Sequence, residues 1–269
     1  MLTHVPPEPL RPFVPMGHGY RVPANRTGLH RGLPSRHLTL VVELNAPLRV
    51  GGLDSSVAAH GVLGGLHVRP ALIDASQPQE GMQYALTPAG ALALFGMPAA
   101  ELSGQVVDLA DVLGPQATRL VDQLYCAASW SDRFRLLDEA LLRWLAGTTA
   151  SIPPDIARAW RVIFANDGLV RVGAVAAHVG CSRRHLSERF RTATGLTPKQ
   201  AARVARFEAA HRLLVTPDRP ALADVAARCG YADQSHFARE WHAMAGCSVG
   251  TWLAEELPFV QDGAATANR

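Results

Sequence analysis

The 269-residue chain is too long for one small core and divides most naturally into two domains. With 48% hydrophobic residues it is too apolar for an intrinsically disordered chain. A formal net charge of +3 is too small by itself to assign a polyanionic partner.

Residues 1 to about 75 read as short strands separated by Gly- and Pro-bearing turns. Phe13-Val14, Tyr20-Arg21, His37–Leu44, Leu48–Val50, Val62-Leu63 and Ala71–Asp74 are the candidates, with Met82–Thr87 one more before Pro88. From Ala89 the chain turns alanine- and leucine-rich. Ala89–Phe95 reads as a short helix closed by Gly96, and Pro98–Leu102 as a further helical turn. Pro115–Cys126 and Asp132–Leu145 carry apolar residues at three- and four-residue spacing, as helices with one buried face do. Small residues ending in Pro153-Pro154 make 149–154 the linker candidate, between an N-terminal domain of 1–148 and a second domain of 155–256.

Past the linker, Asp155 is an expected N-cap for a helix to Asn166. The stretch from Val170 to Glu256 then contains one unit twice. Ala176-Ala-His-Val-Gly180 precedes a helix anchored by Leu186 and Phe190, and Ala226-Ala-Arg-Cys-Gly230 precedes one anchored by Phe237 and Trp241. A small residue, three positions, a turn glycine and a second helix with apolar anchors is the sequence form of a helix-turn-helix. Pro198 opens a long helix to Leu214 between the copies, Asp218–Pro220 breaks it, and Val249–Glu256 closes the domain. Residues 257–269 are expected to be a loose tail. The fold class expected is α+β: a strand-rich N-terminal domain ending in helices, then an all-α domain with two helix-turn-helix units joined by the long helix.

Each second helix, 182–194 and 234–245, divides into an apolar stripe and a polar face. Arg184, Ser187, Glu188 and Arg191 fall at i, i+3, i+4 and i+7 opposite Leu186 and Phe190. In the second copy Gln234, Ser235 and Arg239 lie opposite Phe237 and Trp241. A recognition helix needs this division, with one side anchored and the other offering donors and acceptors to the major groove. Arginine suits guanine, Gln234 adenine, and Glu188 the amino group of cytosine. Charge follows the same plan: 152–256 holds 14 Lys+Arg and 10 Asp+Glu, whereas the remainder holds 12 and 13. Double-stranded DNA is the expected partner.

Residues 155–256 resemble the DNA-binding domain of the AraC/XylS family of bacterial transcription regulators. The likeness rests on Gly230-Tyr-Ala-Asp-Gln-Ser-His-Phe-Ala-Arg239 with Trp241 and Gly246, and on Gly195-Leu-Thr-Pro198 followed by Arg206-Phe207, Ala210 and Leu213-Leu214. It implies two recognition helices entering successive major-groove segments on one DNA face. Arg184, Ser187 and Glu188 would read bases in the first unit, and Gln234, Ser235 and Arg239 in the second. Arg183, His185, Arg191, Thr197, Lys199 and Thr251 complete the expected DNA contacts, with helix starts near Thr197-Pro198 and Ser248-Val249 holding phosphates. The chain departs from the family pattern at Val249, where proline is usual, at Leu253, where a basic residue is common, and at Ala201, where an aromatic is usual. The first two departures imply a weaker phosphate clamp in the second unit.

Gly81–Leu102 with Val106–Asp111 resembles an N-terminal domain carried by many actinobacterial-type members of the family. The N-terminal domain is expected either to bind a small-molecule effector or to act as a ligand-free interaction or homodimerisation module, the chain in that alternative being a co-regulator of weak intrinsic DNA affinity, with RNA polymerase a further partner to test. No cofactor is expected. His30, His37, His60 and His67 match no metal-ligand spacing and are read as surface or turn residues. Cys126, Cys181, Cys229 and Cys247 show no paired spacing, so neither a disulfide framework nor a zinc site is expected. Ser55-Ser56 near His60 lacks the setting of a nucleophile, which argues against an enzyme. No apolar run reaches membrane-span length, and residues 1–10 lack the features of a signal peptide, so the expected location is the cytoplasm.

Overall fold

Period-two patterning decides which way the long strands face, and with it where the N-terminal interior lies. The structure, a computed structural model, describes residues 1–147 and 151–266, with 258–266 in backbone only. Ten strands precede or flank the first helices: β1 (Leu2–His4), β2 (Met16–Val22), β3 (Leu29–Gly32), β4 (Leu38–Glu43), β5 (Leu48–Gly51), β6 (Val57–Ala59), β7 (Gly61–Gly64), β8 (Ala71–Asp74), β9 (Gln79–Leu86) and β10 (Val106–Asp108). They form an antiparallel six-stranded sheet in the order β1-β2-β9-β4-β7-β10 and a four-stranded sheet in the order β3-β8-β5-β6.

In β4, Leu38, Leu40 and Val42 are buried with Met82, Tyr84 and Leu86 of β9 against the helices. Thr39 and Val41 alternate to the opposite face, where Val41 is in register with Gln83 of β9 and Val62 of β7. That second face looks onto Leu48, Val50 and Ile73 of the smaller sheet. The helices α1 (Pro88–Phe95), α2 (Leu109–Leu113), α3 (Pro115–Cys126) and α4 (Trp130–Ala146) cover the first face. Thr87 caps α1 by accepting from Gly90 N, and Gly96 ends it at φ 66°, a conformation that glycine adopts without a Cβ clash.

Some expectations are corrected. Phe13-Val14 is a turn rather than a strand, because both amides bond back to Leu10 O between Pro12 and Pro15. Pro98–Leu102 is a run of turns, without a helix. Asp155 is not the N-cap of the helix after the linker. Pro153 holds that position, and the Asp155 carboxylate is taken by Arg189. Of the tail 257–269 expected to be loose, residues up to Thr266 continue the last helix, and 267–269 lie outside the described residues. Of the expected linker 149–154, residues 149 and 150 lie outside the described residues.

The C-terminal part contains α5 (Pro154–Ala165), α6 (Val172–His178), α7 (Arg183–Thr194), α8 (Pro198–Leu214), α9 (Leu222–Arg228), α10 (Gln234–Ala245) and α11 (Val249–Thr266). Alanines make α8 a slim axle: Ala201, Ala202, Ala205, Ala209 and Ala210 are buried, which lets both helix pairs approach its backbone. Aromatic side chains fill what remains, Trp160 against Phe164 and Phe190 on one side and Phe207 against Trp241 on the other.

The two parts share a seam. Leu196, in the turn before α8, packs into the N-terminal core. Arg36 donates from Nε to Glu208 of α8 at 2.8 Å. His37 beside it is held to about 4, down from the ordinary 6.5, first by burial and then by the Arg36 charge. An imidazole with a depressed folded pKa binds fewer protons than it does unfolded. Its contribution is therefore present above about 6.5 and lost as the pH falls towards 4. Melting temperature should fall over that window, and His37→Gln should flatten the fall; an unchanged pH profile would refute the assignment.

Candidate nucleic-acid interface

Two helix pairs present the expected polar faces. Gly180 at φ 79° and Gly230 at φ 70° turn the chain between the members of each pair. Ser182 then caps α7 by accepting from His185 N at 3.2 Å. Leu186 and Phe190 are completely buried, which fixes the rotation of α7 and leaves Arg183, Arg184, His185, Glu188 and Arg191 exposed, with Ser187 half-buried beside them. Arg184 Nε donates to Glu188 Oε1 at 2.9 Å one turn away. Both side chains are mostly exposed, so this pair is held weakly and can re-form around another acceptor.

The second unit repeats the device with different residues. Asp233 caps α10 by accepting from His236 N at 2.6 Å. Ala232 N donates to His236 Nδ1, which fixes the ring against the turn. Phe237 and Trp241 are fully buried, and Gln234, Ser235, Arg239 and His242 stand on the exposed side. Among the described residues Arg239 has no ion-pair partner, unlike Arg184.

Both α7 and α10 are also clamped from behind by a forked guanidinium–carboxylate pair. Arg189 of α7 reaches Asp155 of α5 at 2.5 and 3.0 Å. Arg203 of α8 reaches Glu240 of α10 at 2.7 and 3.1 Å. Burial alone would raise the Glu240 pKa, but the hydrogen bond and charge of Arg203 outweigh it and hold the carboxyl below its ordinary value. Arg206 adds a bond from Nη1 to Gly168 O at 3.0 Å, tying α8 to the loop after α5. Sequence reasoning missed these clamps. Arg203 and Glu240 lie 37 positions apart, and no local spacing rule connects them.

The helix starts expected to hold phosphates are both organised. Thr197 and Gln200 form a reciprocal capping box at α8, with Thr197 N donating to Gln200 Oε1 at 2.8 Å. Lys199 beside it is exposed. At α11 Ser248 accepts from Thr251 N at 3.0 Å, so a side-chain cap orders this start although Val249 replaces proline. Val249 itself is buried.

A second candidate site lies in the N-terminal part. Between the two sheets is a cavity of about 320 Å³. Val41, Val50, Val62 and Ile73 supply its apolar walls. Thr39, Gln83, His67 and His30 supply polar groups, and His211 of α8 with Trp252 and Glu256 of α11 close one end. Burial lowers the pKa of His67 and of His211. His30, read from sequence as a surface or turn residue, lies 2.7 Å through Nδ1 from Glu256 Oε2 and so bridges the two parts. Among the described residues no cluster of His, Cys, Asp and Glu is arranged to hold a metal ion, and no helix is long and apolar enough to cross a membrane.

Comparison with known proteins agrees with this geometry. A family model described as a helix-turn-helix domain matches residues 175–255. The transcriptional activator NphR of a Rhodococcus species is 33% identical over 154 residues, a segment covering 55% of this chain and 44% of that protein. The chain therefore spans less than half the length of this relative. Among solved structures, ToxT from Vibrio cholerae O395 superposes with a TM-score of 0.54 at 10% identity, covering 89% of this chain and 96% of that one. ToxT from strain SCE256 with a bound unsaturated fatty acid gives 0.53 at 9% identity, covering 89% and 94%. At such identities the likeness to ToxT shows the fold, a strand-rich part followed by a helical one.

Proposed function

We propose that the chain is a transcription regulator of the AraC/XylS type, and that it reads a specific double-stranded DNA site with α7 and α10. The observation that carries the proposal is the pair of exposed polar faces, each set by completely buried anchors and by a forked clamp onto neighbouring helices. Arg184, Ser187 and Glu188 read bases in one major-groove segment, and Gln234, Ser235 and Arg239 in the next. Arg183, His185, Arg191, Thr197, Lys199 and Thr251 contact the backbone and fix the register. The capped start of α11 supports a full share of phosphate contacts for the second unit, in spite of Val249.

The N-terminal part supplies the input. Its cavity lies between two sheets and is closed by the same α8 and α11 that carry the reading units, so a bound molecule touches the output domain directly. Its volume falls at the lower end of the range of roughly 300–1,000 Å³ typical of ligand sites. This favours an effector-binding domain over a ligand-free interaction module.

Titration of the full-length protein against its own upstream DNA across a salt series tests the DNA reading. Affinity should fall steeply with salt on every sequence, while a preference for one site persists. Binding indifferent to both salt and sequence would refute it.

A further inference from the structure

The cavity just assigned to an effector has its fixed charges neutralised before any ligand arrives. Arg31 Nη1 donates to Glu255 Oε2 and to Glu256 Oε1, each at 3.0 Å, and Arg31 N donates to Glu256 Oε1 at the same distance. The other oxygen of Glu256 faces His30 Nδ1. Glu256 is completely buried, and both of its oxygens are engaged. Arg36, five residues along the same segment, is taken by Glu208. The cation nearest to a ligand, Arg31 of β3, is thus committed to α11, and the anion nearest to it, Glu256 of α11, is committed to β3.

The other polar wall groups carry no charge. Thr39 and Gln83 cannot ionise, and burial keeps His67 and His211 neutral at pH 7. His67 Nδ1 lies 2.5 Å from the carbonyl of Arg69, which makes Nδ1 the donor and leaves Nε2 as an acceptor. A carboxylate brought into this space meets no unpaired cation among the described residues, and an ammonium meets no unpaired anion. Either would be desolvated without compensation unless it broke the Arg31–Glu256 pair. A neutral molecule with a hydroxyl or similar donor loses little, because acceptors are already in place and the rest of the wall is aliphatic.

We propose that the effector is an uncharged, mainly apolar molecule bearing a hydrogen-bond donor, of one- or two-ring or short-chain size. The proposal rests on the cavity being the effector site. It is also distinct from what the fatty-acid-bound ToxT structure contains, since an acid's charge has no free counterpart here.

Matched probes separate the alternatives. The full-length protein is titrated at pH 7 with 2-naphthol and 2-naphthoate, and with 1-octanol, octanoate and octylamine, following melting temperature and heat of binding. The alcohols should bind at least tenfold more tightly than their charged counterparts, and Val41→Trp, which fills the cavity from β4, should abolish the effect. Equal or tighter binding of a carboxylate or of the amine overturns the inference while leaving the cavity as the effector site. If none of the five probes binds, the cavity reading fails and takes the inference with it. Glu256→Gln gives an independent check. Arg31 then faces one carboxylate, Glu255, instead of two, and octanoate affinity should rise at least tenfold; an unchanged preference would show that charge pairing does not set the ligand class.

Discussion

Replacing Arg239 with alanine is expected to weaken binding to the preferred site by about 5- to 150-fold, the range for losing one bidentate base contact, while hardly changing binding to unrelated DNA. Arg239 is exposed on α10 and pairs with no carboxylate among the described residues, so its donors reach DNA without first breaking a bond. Its backbone is held by the fully buried Phe237 and Trp241. The change therefore removes a contact and leaves the helix intact. Arg184→Ala should cost less, because Arg184 must exchange or share its bond to Glu188 on meeting a base. Binding to single-base variants of the site locates the effect: the loss for Arg239→Ala should disappear on DNA altered at the base pair it reads. A uniform loss on every sequence would make Arg239 a phosphate contact instead.

How much of this was legible in the sequence depended on how local the signal was. The two helix pairs could be read because their determinants lie within four or five residues: Ser182 three positions before His185, Leu186 four before Phe190, and glycine at each positive-φ turn. The N-cap expected at Asp155 failed for a complementary reason. Aspartate is a good local cap, but here the carboxylate meets Arg189, 34 residues later, and the longer-range pair won. Among strands, β4 and β9 were visible through their alternation or apolar middle. β1, β3, β6 and β10 were missed, being three or four residues long and defined by partners far away in sequence, as Val106 is by Gly64.

The same division separates the two candidate sites. The outward faces of α7 and α10 follow from helical periodicity and needed no tertiary information. The cavity was out of reach of any pattern, since its closing pairs join Arg31 to Glu256 across 225 positions and its end wall is Trp252 and His211. His30 looked like one more turn histidine because its partner lies on the last helix. The resemblance at Gly81–Leu102 pointed to the right region for a second domain, but not to a face, a volume or a polarity.

Truncating Trp241 should have the largest effect on stability. Its side chain is completely buried, 4.8 Å centroid to centroid from Phe207 of α8 and 5.6 Å from Trp252 of α11, so it joins α10 to the axle and to the closing helix. Trp241→Ala is expected to cost about 3–5 kcal/mol, read as a lowered urea midpoint, because transfer and cavity terms add where small alanines leave little room for collapse. Trp241→Phe should cost much less, since Trp241 Nε1 has no hydrogen-bond partner and phenylalanine leaves no donor unpaired. The first unit rests on a different aromatic group, Phe190 with Trp160, so its packing survives. At temperatures where Trp241→Ala is still largely folded, DNA protection should shrink to the segment read by α7, with a smaller salt slope. Loss of protection at both segments together would mean that α8 couples the units too tightly for either to dock alone.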